Sequence, residues 1–432
     1  MQGIAGTGAA EEPAGQAAAP TGLTEDDLVL SCDASLLYGE GGFAGDADLL
    51  ARLSGRVAAR TRVLGTVFPG CPARDPGMPH LHGGGADFRE AQRARLAARF
   101  PPVPPTLLLE SRDIRLAGNA LFTLEEGRKR VLFETTRPQE RHVAPGPGPV
   151  ADPCDESIGA DGLTFLLNAG SSFNYGHWLI DDVPRLRAVA MLRARHPGLP
   201  ITVALVAYVP HIDVARARSV KLVLGTMPGL TLRLLDWTKS YHFARLHHAT
   251  PSALPCERKS PDSLHFLRRQ GRRRTLLPRL WQRWRGLGQP PGRRLFVDRH
   301  PGRGRALVSR DGVLALLARR GFTVIDPESL SPRQQAIRFA EAEIVVGIAG
   351  AGMANTVFCA PGTPVIHLVP EGWEDPFYWE IAVANGLAYH AVYGPRVPSG
   401  SPEFLQDFTI DPADLAAALA EAGDPGARRA PA

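Results

Sequence analysis

The sequence predicts an α/β protein with a parallel sheet in each of two halves. Strand–helix alternation over 163–235 and a second, cleaner alternation over 294–368 predict the sheets. Length predicts the division, because 432 residues exceed one ordinary core. A composition of 44% hydrophobic and 22% charged residues is that of an ordinary globular chain. The net charge of +5 suits an anionic small substrate or an anionic surface, and nucleic acid is not an expected partner.

Taken in order, residues 1–25 are rich in Ala, Gly and Pro and are expected to be disordered or peripheral. His80-Leu81-His82, followed by three glycines, has the residue types of a metal loop, but no third ligand is in view and a solvated loop without metal is expected. Short alternating runs at Arg112–Leu116, Ala120–Leu124 and Arg130–Phe133 predict antiparallel strands in the region 106–134, with turns at Gly118-Asn119 and Glu126-Gly127. A Pro/Gly-rich loop follows at 144–153.

Leu163–Asn168 reads as a buried strand. A helix is expected from about Asn174, capped by Ser171, Ser172 or Asn174, with Leu179, Val183, Leu186 and Ala190 as its core stripe. Val203–Val206 and Leu232–Leu235 are further strands, separated by a helix over Val214–Leu224. These make an N-terminal α/β domain over 26–267. Arginines crowd 268–294, with Trp281 and Trp284 among them. A solvated basic linker over 268–292 is the preferred reading, and a patch against an anionic membrane the other.

The C-terminal domain spans 293–395, with a tail or helix over 396–432. It alternates strand Arg294–Asp298, helix Arg310–Arg320 ended by Gly321, strand Phe322–Ile325, helix Pro332–Ala340, strand Ile344–Val346 and strand Pro364–Leu368. A glycine turn, Gly347-Ile348-Ala349-Gly350-Ala351-Gly352, follows the third strand and is expected to open a helix. Helix N-termini at the carboxyl ends of parallel strands suit phosphates, though a plain packing turn has the same pattern.

The five cysteines are widely spaced with no ligand cluster, so reduced thiols and no structural zinc are expected. No signal-peptide pattern and no 18-residue apolar segment is evident, and a cytoplasmic protein, peripheral to the inner membrane at most, is expected.

Three constellations carry chemistry. His177 and Asp181 stand at i and i+4 on one helix face, set away from the core stripe, with Asn174 one turn earlier. A carboxylate beside an imidazole holds one tautomer and raises basicity, which suits a general base, and a solvated surface pair has the same spacing. Arg299-His300-Pro301-Gly302-Arg303-Gly304-Arg305 follows a strand and could grip a diphosphate with forked donors, or be an ordinary basic loop. The glycine turn is the third, and with Glu371 after the next strand it also permits a nicotinamide dinucleotide reading.

In order, these stretches resemble glycosyltransferase family 61. The first-half signature of that family is matched by Asn174, His177, Trp178, Leu179, Asp181, Val183, Pro184, Arg185 and Leu186. The second half is matched by Arg299, Arg305, Ser331, Gln335, Ala342, Val345, Val346, Gly347, Gly350, Ala351, Gly352, Met353, Asn355, Phe358, Pro361, Gly362, Thr363, Val365 and Ile366. Asp375–His390 also resembles the family's end, so the likeness covers about residues 160–395. Ala349 stands where the family usually has His, and Ser309-Arg310 where it often has Asn-Glu.

The resemblance implies a GT-B-like fold, two Rossmann-like domains facing across a cleft, and inverting transfer from a nucleotide sugar to a hydroxyl of a glycan or glycolipid, such as a surface polysaccharide. The nucleotide sugar enters as substrate, and no cofactor or metal is implied. His177 and Asp181 would be catalytic. Arg299, Arg305, Gly350, Ala351, Gly352 and Asn355 would hold the donor. The alternatives are an NAD(P)-dependent oxidoreductase and an inactive glycosyltransferase-like binding protein.

Overall fold

The structure is a computed structural model of the chain. It describes residues 60–97, 102–103, 105–125, 128–131, 154–168, 172–254, 258–284, 292–299, 302, 304–373, 375–398 and 405–423. The expected peripheral segment 1–25, the turn at Glu126-Gly127 and the loop at 144–153 lie outside the described residues. The chain is a mixed α/β protein with two compact units, one made of residues 17–75 and 100–274, the other of 1–16, 76–99 and 275–432.

The first described elements are β1 (Thr61–Phe68), β2 (His80–Gly83) and α1 (Ala86–Ala97). β1 belongs to a nine-stranded mixed sheet. β3 (Thr106–Ala117), β4 (Ala120–Glu125) and β5 (Arg128–Val131) form an antiparallel meander. The tight connection from β3 to β4 uses Gly118 at φ 55°, backbone a Cβ would strain. β6 (Glu156–Ile158), β7 (Leu163–Leu166), β8 (Ile201–Val206), β9 (Leu230–Leu235) and β10 (Ser240–Ala249) complete the sheet. β10 pairs antiparallel with β3 and parallel with β7, so one strand joins the antiparallel half to the parallel run β7-β8-β9. Ile114, Leu116, Leu166, Val206, Leu235, Phe243 and Leu246 bury one face of this sheet. Each fully buried aliphatic or aromatic side chain contributes about 1.5–3 kcal/mol.

Between β7 and β8 the expected regular helix is not regular. A short α2 (Tyr175–His177) passes into a π turn at Trp178–Asp182, a 3₁₀ turn at Val183–Leu186, and only then α3 (Arg187–Arg195). Pro184 is the local cause, since it has no N–H to offer the turn before it. The wide and tight turns rotate the later side chains off the 3.6-residue register. Leu179, Val183 and Leu186 are buried as expected, but Ala190 is exposed, which corrects its place in the core stripe. The face carrying Asp181 is also not solvated: residues 178–186 are all buried.

α4 (Pro210–Leu224) joins β8 to β9, and β11 (Ala253–Leu254) and β12 (Arg258–Lys259) form a small ladder. α5 (Pro261–Trp284) occupies most of the stretch expected to be a linker. Among its described side chains, Arg274 donates to the carbonyl of Leu224 at 2.9 Å, closing the end of α4 beside Gly225, and none supports the alternative of a membrane contact. Among the described residues no helix is long and apolar enough to cross a membrane.

The second unit is built on a six-stranded, all-parallel sheet. Its strands are β13 (Arg294–Val297), β14 (Thr323–Ile325), β15 (Ile344–Ile348), β16 (Pro364–Pro370), β17 (Ala388–Gly394) and β2. α6 (Arg310–Arg319), α7 (Pro332–Ala340) and α8 (Phe377–Asn385) are the crossovers. A ladder of β18 (Arg396–Val397) with β19 (Asp407–Phe408) and the helix α9 (Pro412–Glu421) close the described chain. The order β14-β13-β15-β16-β17-β2 reverses direction between β13 and β15. Phe296, Val346, Ile366, Leu368 and Val392 on one face pack under Leu316, Leu317, Leu415 and Leu419. β2 enters this sheet from far upstream, and His80–His82 is therefore strand, not loop.

His248, on β10, is fully buried and bonds through Nε2 to Ser111 Oγ at 2.9 Å. Burial, helped by His247 and Arg185, pushes its pKa down to about 3. The unfolded chain takes up that proton near 6.5, so stability is present above 6.5 and is lost as pH falls toward 3. The expected slope from this residue is at most about 1.4 kcal/mol per pH unit. Urea unfolding between pH 7 and 4 should show it, and His248→Gln should flatten it.

Candidate active site

The reversal of strand order leaves a crevice at the carboxyl ends of β13 and β15, where open α/β sheets bind ligands. The chain places Arg299 just after β13 and the glycine turn just after β15. A Cβ at Gly350 would overlap the Nη1 of Arg299. Gly350 has an extended φ of 175°, so the glycine serves close approach of the arginine and not an unusual backbone. Gly347 lies against Met353 and Val297, and Gly352 against Pro327. Two of the three glycines are thus packing positions and one faces a cation.

The helix that the turn opens, as expected, is a 3₁₀ helix, Ala351–Phe358. Asn355 explains its shape. The side chain is fully buried and its Nδ2 donates to Gln335 Oε1 at 2.6 Å and to the Gly352 carbonyl at 3.0 Å. Those bonds hold the turn. Ala349 is fully buried, and its N–H donates to Leu368 O at 3.0 Å.

The basic loop is held from several sides. Arg299 Nε donates to Gly304 O at 2.8 Å, and Asp298 accepts from Arg299 N at 2.9 Å and from Arg310 at 2.6 Å. Ser309 Oγ donates to Ile410 O at 2.9 Å. Ser309 and Arg310, one of the two places where the chain departs from the family pattern, therefore anchor this loop. Arg305 sits at φ 57° with its N–H on Leu405 O at 2.8 Å. Its guanidinium lies 4.8 Å from the Trp373 ring centroid. Burial lowers its pKa, with Tyr378 and Asp375 opposing. It makes no ion pair among the described residues, so its buried charge has no bonded counter-ion there.

His367, on β16 opposite Gly347, feels that charge: burial and Arg305 push its pKa down to about 3. Its Nδ1 is 2.8 Å from Tyr389 Oη, and its ring packs edge-on to Tyr378. A concavity nearby is lined by Leu81, Trp373, Asp375, Trp379, Tyr389 and Tyr393. His367, Trp373, Asp375 and Tyr389 were missed in the sequence. A continuous apolar run marked β16 as core, and only the fold shows the cation it adjoins.

In the other unit, Asn174 caps α2 by accepting from Gly176 N at 2.9 Å. One turn on, His177 Nδ1 is 2.8 Å from Asp181 Oδ2, with the His side chain 22% exposed and the Asp 4%. An ionised Asp181 accepts from Nδ1–H, so the tautomer puts the ring lone pair on Nε2. The carbonyl of Asp181 accepts from Ser252 Oγ at 2.8 Å. Beneath the pair, Asp182 bonds to Arg185 and accepts from Ser172 Oγ at 2.6 Å. Arg216 bonds to Asp213 at 2.9 Å and Asn168 at 2.8 Å and lies 4.7 Å from the Trp178 ring. This buried lattice, which sequence reasoning did not foresee beyond Arg185, fixes the irregular helix and so aims His177.

A doubly wound α/β unit with arginines gathered at its switch point is a class of protein that handles anionic, phosphate-bearing ligands. Residues 175–366 match the family model Glycosyltransferase 61. The match falls within the stretch whose motifs resemble that family. No curated protein matches. Among solved structures, a D-isomer specific 2-hydroxyacid dehydrogenase from Xanthobacter autotrophicus Py2 is similar at 14% identity, over 61% of this chain and 98% of that one. Its TM-score is 0.16, too poor a superposition to support the dehydrogenase alternative.

If Asn355 holds the turn, Asn355→Ala leaves Gln335 without its partner in a buried place and should lower stability by about 1–3 kcal/mol. A chemical-denaturation midpoint checks it.

Proposed function

We propose that the chain is an inverting glycosyltransferase that moves a sugar from a nucleoside-diphosphate donor to a hydroxyl of a glycan or glycolipid. The observation that carries this reading is Arg305: a largely buried guanidinium with no ion pair among the described residues, stacked on Trp373 in the unit whose switch point carries Arg299 and Gly350. Such a cation suits a diphosphate that arrives with the substrate. Arg299, Arg305 and backbone at Gly350, Ala351 and Gly352 hold the diphosphate in this reading. The reading includes a GT-B-like fold class.

The acceptor oxygen attacks the anomeric carbon as the bond from that carbon to the diphosphate oxygen breaks. The proton of the acceptor hydroxyl passes to Nε2 of His177, whose Nδ1–H stays on Asp181. The leaving diphosphate takes the bonding electrons, and the arginines meet its charge, so no metal is required for this step. The dinucleotide alternative has less support, because residues 175–366 match a glycosyltransferase family model.

A thermal-shift screen of the full chain should show stabilisation by nucleoside diphosphates and none by NAD(P). Arg305→Gln should weaken that binding at least tenfold while leaving the ligand-free midpoint unchanged or higher, since a buried unpaired charge is removed. With a turnover-competent donor and acceptor identified, His177→Ala should lower kcat by about 10²–10⁴-fold. Wild-type rates in His177→Ala would remove the base assignment. Binding of nucleoside diphosphates with neither donor hydrolysis nor transfer would favour the inactive binding protein.

A further inference from the structure

Three histidines and a glutamate meet at the edge of the C-terminal sheet, and the reaction above uses none of them. β2 runs parallel to β17 with His80 opposite His390 and His82 opposite Val392. Strand alternation puts His80, His82 and His390 on one face, the face covered by α9. Glu421 is the last residue of α9. His80 Nδ1 is 2.5 Å from Glu421 Oε1. His82 Nε2 is 3.2 Å from His390 Nδ1 and 3.4 Å from Glu421 Oε2. One ligand atom each from His80, His390 and Glu421 lie within 4.8 Å of one another.

A tetrahedral zinc ion with bonds of about 2.0–2.1 Å has ligand–ligand edges of about 3.3 Å. The spacings from His82 to His390 and to Glu421 are already of that size, and His80 is held at the site by its hydrogen bond to Glu421. The His80 and Glu421 side chains are 50% and 49% exposed, so they can rotate and an ion can enter. We propose that His80, His390 and Glu421, with His82 as fourth ligand, form a divalent transition-metal site of the zinc class. Imidazole nitrogens with one carboxylate select such ions over magnesium or calcium, which prefer all-oxygen shells.

The site is structural. In-register pairing puts His390 with Ile366 and sends His367 to the opposite face, toward Arg305. The ion would tie β2 to the end of α9, two segments 341 residues apart in the chain. A bound ion stabilises the folded state by mass action.

The test uses the full-length protein stripped with a chelator. Calorimetric titration with Zn²⁺ should give one ion per chain. Co²⁺ should give the visible absorption of a four-coordinate N/O site, and Zn²⁺ should raise the melting temperature. His80→Asn and Glu421→Gln alter half-exposed side chains, and should weaken Zn²⁺ binding at least tenfold and abolish the melting shift. Their metal-free circular dichroism and melting temperature should match the wild type, and His390→Asn provides a third variant. Wild-type affinity in these variants would place the ion on other residues, such as cysteines, and overturn the proposal. So would no Zn²⁺ binding by the wild type at about 100 μM metal.

Discussion

The C-terminal unit depends on one packing constraint: the backbone of the turn after β15 must lie closer to its neighbours than any Cβ permits. Met353 folds back over Gly347, Pro327 presses on Gly352, and the Arg299 guanidinium rests on Gly350. Gln335 and Asn355 then lock the 3₁₀ helix from beneath. Interiors are packed as tightly as organic crystals, so these contacts leave one conformation for the turn. The arginine is placed by the same contacts that make the core. Its position at the switch point is therefore a consequence of packing as much as of loop sequence.

The N-terminal unit solves a similar problem with charge. Trp178 to Leu186 is wholly buried, although it contains two aspartates and an arginine. Arg185 pairs with Asp182, and Arg216 with Asp213 and the Asn168 amide. Leaving any one of these groups unpaired in that interior would cost several kcal/mol. Paired, they hold a π turn and a 3₁₀ turn that no intrinsic propensity favours. The result sets His177 at a partly open position directly over a buried carboxylate. An irregular, fully satisfied segment at a residue of proposed chemical use is a familiar combination of local strain and surrounding compensation.

The two clusters of imidazole chemistry in the C-terminal unit are separated by the sheet itself. His367 shares its face with the arginine-rich edge, while His80, His82 and His390 lie under α9. The family match covers residues 175–366, so it stops one residue short of His367 and contains none of the other three. A scaffold role for the edge cluster is compatible with transfer chemistry on the other face.

The sequence by itself determined the strand–helix alternation of both halves, the antiparallel meander before them, and the motif residues that mark the family. Periodicity and glycine placement are local properties, and they survive in any tertiary setting. Only the tertiary structure decided three things. It broke the helix after Asn174 into α, π and 3₁₀ turns, because Pro184 and the buried Asp182–Arg185 pair override the 3.6-residue register and turn Ala190 outward. It gave Asn355 a buried bond to Gln335, which reaches it from a helix twenty residues earlier. It turned His80-Leu81-His82 from a loop into the edge strand of a distant sheet, because pairing with β17 supplies His390 and Glu421 from 308 and 341 residues downstream of their partners. No local pattern carries such contacts, since they exist only after the sheet has closed.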